Sequence, residues 1–147
     1  FEKIAIKELL ERKIDILCLA GFMKILSKIF FRNFKGKIIN IHPSLLPKFG
    51  GQGYYGLQVH QAVIDAGETE SGATVHLIDQ DYDKGSIVAQ MQVPVHKDDT
   101  AYQLQKRVAE IEKPLYVQAL KMYQRDRSYD ARDSGFTRPP FVGNINL

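Results

Sequence analysis

The 147 residues of this chain are 44% hydrophobic and 25% charged, proportions that are typical of one globular domain. This composition excludes a collagen-like repeat and argues against a disordered chain. The 20 Lys and Arg residues against 17 Asp and Glu give a net charge of +3. That excess is too small and too scattered to indicate nucleic-acid binding. No apolar run approaches the length of about 18 residues that a membrane-spanning helix needs, so neither a nucleic acid nor a membrane is an expected partner.

One cysteine and the start of the sequence bear on where the protein works. Cys18 cannot form a disulfide within the chain, and its place in the apolar run 14–20 predicts a buried thiol that packs as a small hydrophobe. The first residues show no signal peptide and begin a predicted amphipathic helix, so a cytoplasmic location is expected. A first residue of Phe instead of Met suggests a fragment or a processed chain.

The first part of the chain predicts two helix–strand pairs. Apolar residues along one side predict a helix over 3–12, and the continuous apolar run 14–20 predicts a strand that is buried on both faces. A second helix is predicted over 23–34, with Ser27 in its middle. The apolar segment 37–42 predicts a second short strand.

The middle of the chain predicts a loop, a helix and a strand pair. The Pro- and Gly-rich segment 43–56 is a loop, and a helix is predicted over 57–66. Strands are predicted over 73–78 and 87–95. Because one acidic turn, 79–85, connects them, they are expected to pair antiparallel.

The last part predicts one long helix and a tail. The helix runs from Ala101 to Tyr123, with Thr100 as its N-cap and a kink or break at Pro114. Residues 124–147 lack periodicity and are predicted to form an extended C-terminal tail beside a domain over 1–123.

The alternation of strands and helices predicts the α/β class. We expect a Rossmann-like, mostly parallel sheet flanked by helices, with an antiparallel strand pair near residues 73–95. Ligands of such sheets bind beyond the carboxyl ends of the strands. Gly21 and His42 stand at two of these ends, so a ligand site is expected there.

Asn40 and His42 carry the sharpest chemical signal. They are two residues apart at the end of a strand, so their side chains project from the same face. An amide and an imidazole that converge could donate two hydrogen bonds to one oxygen, as the oxyanion on an acyl or formyl carbon needs. A structural role remains open at this point, with Asn40 capping the strand and His42 bonded within the loop.

Asp79, Asp81 and Asp83 place three carboxylates in the acidic turn. Their spacing resembles a calcium loop, but Lys84 and Gln90 stand where that loop needs Gly and Glu, so calcium is not expected. One interpretation is a solvated turn whose Asp side chains bond their own backbone. The other is that one carboxylate faces the imidazole, favours its protonated form and orients a water for proton transfer.

The remaining titratable residues carry weaker signals. No two histidines stand at metal-ligand spacing with a third ligand nearby, so no metal is expected. His60 could equally be an exposed or helix-capping residue, and His76, within a strand, is expected to be packed. Glu110 and Glu112 lie on the long helix, where a charged residue is usually solvated.

Several ordered blocks of the sequence resemble the folate-dependent formyltransferases. They are the strand end and loop NIHPSLLP at 40–47, the helix start GLQVHQA at 56–62, and the strand GATVH at 72–76 with the acidic turn after it. With Val93-Pro94-Val95 and the helix that holds Glu112, the similarity covers residues 5–123. The pattern is most similar to the branch that formylates glycinamide ribonucleotide in purine biosynthesis.

The resemblance implies a reaction in which the amine of glycinamide ribonucleotide attacks the formyl carbon of the co-substrate 10-formyltetrahydrofolate. The family's Asn, His and Asp fall on Asn40, His42 and Asp83. Asn40 and a cationic His42 would stabilise the oxyanion, and Asp83, through a water, would help move the amine proton to the departing folate nitrogen. The folate would contact Asn40 and two segments, which are Met23, Lys24, Ile25 and Leu26, and Asp79, Gln80, Asp81, Tyr82 and Asp83. The ribonucleotide would contact Ala109, Glu110, Ile111 and Glu112, with Glu112 the leading candidate for its amine or ribose hydroxyls.

The chain also departs from the family's pattern. Lys24 stands where the family usually has Arg, which keeps the charge and loses the planar fork, and the loop 49–55 is longer than usual. The family's N-terminal strand and glycine-rich phosphate loop have no counterpart here. Two alternatives stand beside the transferase: a hydrolase of 10-formyltetrahydrofolate, which shares the Asn-His-Asp arrangement, and an inactive folate-binding fragment, which the missing phosphate loop favours. A homo-oligomer is also left open.

Overall fold

The computed structural model describes residues 1–78, 85–125 and 141–144, the last four by their backbone. Its helices and strands follow in chain order: α1 Glu2–Glu11, β1 Ile16–Leu19, α2 Lys28–Asn33, β2 Lys37–His42, α3 Leu57–Asp65, β3 Glu70–Leu77, β4 Ile87–Pro94, α4 Ala101–Arg125 and β5 Phe141–Asn144. The predicted α/β class is confirmed.

The five described strands form one sheet in the order β1-β2-β3-β4-β5. β1 pairs with β2 and β4 pairs with β5 in parallel, whereas β2–β3 and β3–β4 are antiparallel. The expected antiparallel pair near residues 73–95 is therefore confirmed. The described sheet is mixed, with two parallel and two antiparallel pairs. The β3–β4 pair is antiparallel because its connection is too short for the crossover that a parallel pair needs.

The two faces of the sheet are covered by different elements. Ile39 and Ile41 of β2 pack with Val63 of α3 and with the apolar side of α4. Ile38, on the other face, packs against the phenylalanines of α2 and against Ile6 of α1. Because neighbouring residues of a strand point to opposite faces, Asn40 and His42 project on the same side as Ile38, away from α4.

The predicted second helix begins later than its apolar pattern suggested. Residues 23–27 are irregular, and α2 starts at Lys28 with Ser27 as its N-cap, whose hydroxyl accepts a hydrogen bond from the Phe30 N–H at 3.3 Å. The Glu2 carboxylate of α1 in turn accepts from the Ser27 backbone N–H at 2.8 Å and from its hydroxyl. The prediction that Ser27 lies inside the helix is wrong, because this side chain satisfies the backbone of the first turn instead.

Cys18 is exposed, so the prediction of a buried thiol is wrong. Its strand, β1, lies at the edge of the described sheet and pairs only with β2 among the described strands. The continuous apolar run correctly predicted a strand, but it could not show which face of that strand is covered.

The long helix α4 begins and continues as its sequence indicates, except at Pro114. Thr100 and Gln103 form a reciprocal cap, in which the Thr100 hydroxyl accepts from the Gln103 N–H and the Gln103 amide oxygen accepts from the Thr100 N–H. The helix continues through Pro114 to Arg125 instead of breaking there. Beyond it, β5 is a strand within the segment 124–147, for which the sequence predicted an extended tail.

A partly buried ion pair between Arg107 of α4 and Asp99, just before α4, makes acid stability testable. The Arg107 guanidinium donates to both Asp99 carboxylate oxygens, at 2.6 and 2.9 Å, and to the Pro94 carbonyl at 2.9 Å. These bonds lower the pKa of Asp99 from 3.8 to about 2. Because the folded pKa is depressed, the stabilisation is present above the unfolded pKa and is lost as the pH falls through the folded one.

We therefore expect Asp99→Asn to lower the melting temperature at about pH 6 and to have progressively less effect as the pH falls from about 4 to about 2. Thermal unfolding followed by circular dichroism across this range measures the difference. The exposed neighbour Asp98 provides a matched control, Asp98→Asn, for which no such pH-dependent loss is expected. An equal effect of Asp99→Asn at every pH would contradict the assignment.

Candidate active site

Asn40 and His42 lie on one face of β2, as their spacing predicted. Asn40 is half-buried and His42 is 7% exposed. On the neighbouring strand β3, His76 lies opposite Asn40 and Thr74 lies opposite His42. The four side chains form a polar strip across β2 and β3, on the face of the sheet that α4 does not cover.

The loop after β2 fixes the ring of His42. The His42 Nε2 lies 2.7 Å from the Phe49 carbonyl oxygen. Because a carbonyl can only accept, Nε2 carries a proton and donates it. The other ring nitrogen, Nδ1, is then the one that can act on a ligand, and it is a donor when the imidazole is cationic.

Thr74 holds that loop in place from the middle of the sheet. Its hydroxyl donates to the Ser44 carbonyl at 2.7 Å and accepts from the Leu46 N–H at 3.0 Å. Gln90 of β4 donates to the same hydroxyl at 3.0 Å and to the Leu46 carbonyl at 2.8 Å. The Ser44 hydroxyl lies 2.7 Å from the Lys48 carbonyl oxygen and 3.3 Å from that of Phe49, so hydrogen bonds connect Thr74, through Ser44, to the carbonyl that holds the His42 ring.

Two further histidines are buried near this strip. His60 of α3 is 1% exposed, so it is not an exposed residue, and the N-cap of α3 is Gly56, with no side-chain capping bond among the described residues. Burial, and secondarily the charge of His42, lowers the pKa of His60 to about 4, so His60 is neutral at pH 7 and adds no positive charge beside His42. His76 is fully buried, as expected for a packed histidine.

The segment proposed to contact folate is only partly open to a ligand. Met23 and Ile25 are 71% and 76% exposed, and Lys24 is exposed with its ammonium 5.3 Å from the centre of the Phe1 ring. Leu26 is buried with Phe30 in the core beside α2, so its side chain faces away from solvent. Asp79, Gln80, Asp81, Tyr82 and Asp83 lie outside the described residues.

The α4 residues proposed to contact the ribonucleotide differ in their surroundings. Ala109 and Glu110 are exposed, and the Ile111 side chain is packed in the core at 1% exposure. Glu112 is half-buried and makes no hydrogen bond or ion pair to any residue that the structure describes, and burial raises its pKa above 4.5. Because α4 covers the opposite face of the sheet, a ligand that touches both Glu112 and the Asn40–His42 pair must pass around the end of the strands.

Three residues that support the candidate site were not predicted from the sequence: Thr74, Gln90 and Tyr116. The Tyr116 hydroxyl, one helical turn after Glu112, lies 2.9 Å from the Leu19 carbonyl oxygen and 2.8 Å from that of Ile39, so it joins α4 to β1 and β2. Burial raises the pKa of Tyr116, which keeps the hydroxyl a donor. For Thr74, the available sequence signal was a polar residue between the apolar Ala73 and Val75 of a predicted strand.

The burial of Glu112 leads to a stability prediction. Because its folded pKa is raised, the ionised carboxylate destabilises the folded chain above its unfolded pKa, and this cost is absent at lower pH. We expect Glu112→Gln to raise the melting temperature at pH about 7 and to have no effect below about pH 4. The same substitution at the exposed Glu110 is the control and should leave the melting temperature unchanged at both values. A lower melting temperature for Glu112→Gln at neutral pH would contradict the assignment.

Within the described ranges, no group of three or more His, Cys, Asp or Glu residues could hold a metal ion. No helix among the described residues is long and apolar enough to cross a membrane. The described geometry is thus that of an α/β domain with a half-buried amide and a buried imidazole side by side on its sheet.

Comparison with known proteins agrees with this description. The family profile described as Formyl transferase matches residues 1–120. The chain therefore belongs to the formyl transferase family.

Some curated relatives are named phosphoribosylglycinamide formyltransferase, and others trifunctional purine biosynthetic protein adenosine-3. A chloroplastic phosphoribosylglycinamide formyltransferase of Vigna unguiculata is 47% identical over 115 residues, which are 78% of this chain and 37% of that protein. The phosphoribosylglycinamide formyltransferase of Haemophilus influenzae is 42% identical over 114 residues, 78% of this chain and 51% of that protein. The chain thus spans about half or less of the length of these curated relatives.

A solved structure is similar over nearly the whole chain. The crystal structure of phosphoribosylglycinamide formyltransferase from Anaplasma phagocytophilum superposes with a TM-score of 0.80 at 34% identity. The match covers 97% of this chain and 69% of that one. The Rossmann-like fold of the family is therefore shared.

Proposed function

We propose that this chain carries the formyl-transfer centre of a phosphoribosylglycinamide formyltransferase, which moves a formyl group from 10-formyltetrahydrofolate to the amine of glycinamide ribonucleotide. The observation that carries the proposal is the pair of donors on β2, with Asn40 half-buried and the His42 ring fixed by the Phe49 carbonyl. The names of the relatives supply the reaction class and the acceptor. De novo purine biosynthesis is the corresponding pathway.

The chemistry starts with attack of the ribonucleotide amine on the formyl carbon. A carbon–nitrogen bond forms, and the formyl oxygen becomes an oxyanion. The Asn40 amide and the Nδ1–H of a cationic His42 would donate to that oxygen, while the Nε2–H stays bonded to Phe49. The bond to the folate nitrogen then breaks, and the proton lost by the amine goes to that nitrogen.

We assign the proton transfer to Asp83, acting through a water, and the maintenance of the His42 charge to the same carboxylate. The described residues on either side of the acidic turn support this assignment. The Leu77 N–H donates to the Ser86 carbonyl at 2.9 Å, and Leu77 lies opposite Ile39. The described residues that flank the turn therefore lie beside Ile39, the neighbour of Asn40 in β2.

For the folate we propose contacts with the exposed Met23, Lys24 and Ile25, with Asn40, and with the backbone of Asp79, Gln80, Asp81, Tyr82 and Asp83. The backbone of Leu26 completes that first segment, because its side chain is in the core. Glu112, half-buried and without a described partner, is the proposed ligand of the ribonucleotide amine or ribose. Ala109 and Glu110 would flank it, and Ile111 would act only through its place in the helix.

A cytoplasmic location stays a prediction. Relatives from Vigna unguiculata and Arabidopsis thaliana are named as chloroplastic.

The proposal is tested by formyl transfer from a 10-formyl folate analogue, followed by absorbance, with and without glycinamide ribonucleotide. Turnover that requires the ribonucleotide is expected, with a higher KM for the ribonucleotide in Glu112→Gln. Turnover that does not need the ribonucleotide would replace the proposal with the hydrolase. Folate binding without any turnover would show an inactive folate-binding fragment and would equally overturn it.

A further inference from the structure

His76 is the one described side chain that bonds Asn40, and it lies on a different strand. The Asn40 Nδ2 and the His76 Nε2 are 3.3 Å apart, across the β2–β3 pair in which the two residues are direct neighbours. His76 is fully buried. Because the His76 ring is enclosed by the protein, its contact with the half-buried Asn40 amide fixes the orientation of that amide.

The direction of this hydrogen bond matters because an amide has two different ends. The terminal torsion of Asn is broad, so the side chain alone does not decide whether its NH2 or its oxygen faces a ligand. A neutral imidazole has one donor and one acceptor nitrogen. When Nε2 is the acceptor, it holds the NH2 of Asn40 and leaves the second N–H of the same nitrogen available to another oxygen.

We propose that His76 is a positioning residue that sets the Asn40 amide through an unprotonated Nε2, with the ring proton on Nδ1. The Nδ1 atom is buried and makes no hydrogen bond to a residue that the structure describes, so the proposal requires that the bond from Asn40 to Nε2 outweigh the cost of a buried, unbonded N–H. One Asn40 N–H then bonds His76, and the other is aimed at the formyl oxygen, an aim that rests on the function proposed above. The opposite tautomer would donate from Nε2 and turn the Asn40 oxygen towards His76, which displaces the NH2 from its present place.

The geometry of Gln and Asn side chains provides a matched pair of variants. In His76→Gln the terminal amide oxygen can occupy the place of Nε2 and accept from Asn40. In His76→Asn the amide reaches only the place of Nδ1, too far from Asn40 to bond it. Both variants are neutral and polar, so a difference between them reports the hydrogen bond and not the loss of a buried polar group.

The first measurement needs no catalysis. A two-bond proton–nitrogen correlation spectrum of the histidine rings in the wild-type chain assigns the tautomer of His76. We expect an unprotonated Nε2 and a shifted Asn40 side-chain amide proton that returns to its ordinary position in His76→Asn but not in His76→Gln. A protonated Nε2 would overturn the proposal even if formyl transfer is observed.

Kinetics give the second measurement. We expect His76→Asn to lower kcat by about 10²-fold, the cost of a small misplacement of a catalytic group, with KM for both substrates unchanged and most of kcat restored in His76→Gln. Equal losses in the two variants would show a merely structural role and would overturn the proposal. A wild-type chain with no ribonucleotide-dependent turnover would refute the proposed function alone, and the tautomer would still decide the role of His76.

Discussion

Replacing His42 with alanine is expected to lower kcat for formyl transfer by about 10²–10³-fold, which is the usual cost of one donor to an oxyanion. The His42 imidazole lies beside Asn40 on one face of β2, and its ring is held by the Phe49 carbonyl at 2.7 Å. KM for the folate should change little, because the donor acts chiefly when negative charge develops on the oxygen. Steady-state kinetics with both substrates varied measure the two constants.

Two variants separate catalysis from folding in this experiment. In His42→Gln the side-chain amide can still donate to Phe49, but the group that stands at Nδ1 is lost, so kcat should fall while the melting temperature is kept. His96→Ala alters an exposed histidine on the turn before α4 and should leave both constants unchanged. Wild-type kcat in His42→Gln would contradict the role of Nδ1, and a loss in His96→Ala would show that the assay responds to unrelated changes.

Replacing Thr74 with valine is expected to produce the largest loss of stability from one nearly isosteric change. The substitution removes the partner of two buried backbone groups, the Leu46 N–H and the Ser44 carbonyl. A buried group left without a hydrogen bond costs about 1–3 kcal/mol, so the two losses add to a large part of a small domain's stability. Unfolding by urea, with the midpoint and slope compared to wild type, measures the change.

The same substitution should also reach the active site. Without the Thr74 hydroxyl, the loop loses its anchor on β3, and the Phe49 carbonyl no longer holds the His42 ring in one orientation. We expect kcat to fall in the fraction that remains folded. Thr69→Val, at an exposed position just before β3, is the matched control and should change stability by less than about 0.5 kcal/mol. An equal effect of the two substitutions would contradict the anchoring role.

The sequence was most informative where a structural feature depends only on residues close together in the chain. The two-residue period of a strand placed Asn40 and His42 on one face before any neighbour was known, and the short connection between β3 and β4 required an antiparallel pair. The cap at Thr100 was also predictable, because its partner Gln103 is three residues away. In each of these cases the signal and the contact lie within a few residues.

The sequence was least informative where a residue depends on a distant partner. Ser27 caps α2 and is held by Glu2, 25 residues earlier, and nothing in the apolar pattern near 23–34 shows that carboxylate. Cys18 is exposed because β1 is the edge of the described sheet, and an apolar run does not state whether a second layer covers it. The burial of His60 likewise follows from how α3 packs, not from its own neighbours in the chain.

The sequence by itself determined the α/β class, the family and the shared face of Asn40 and His42 on β2. Only the tertiary structure decided what surrounds that pair: His76 lies 36 residues from Asn40 in the chain and bonds it across the sheet, and Thr74 lies 30 residues from the Ser44 carbonyl that it holds. The physical reason is that side-chain periodicity fixes the face from which a residue projects, whereas its hydrogen-bond partner is fixed by the register between strands and by the path of the loop that packs on them.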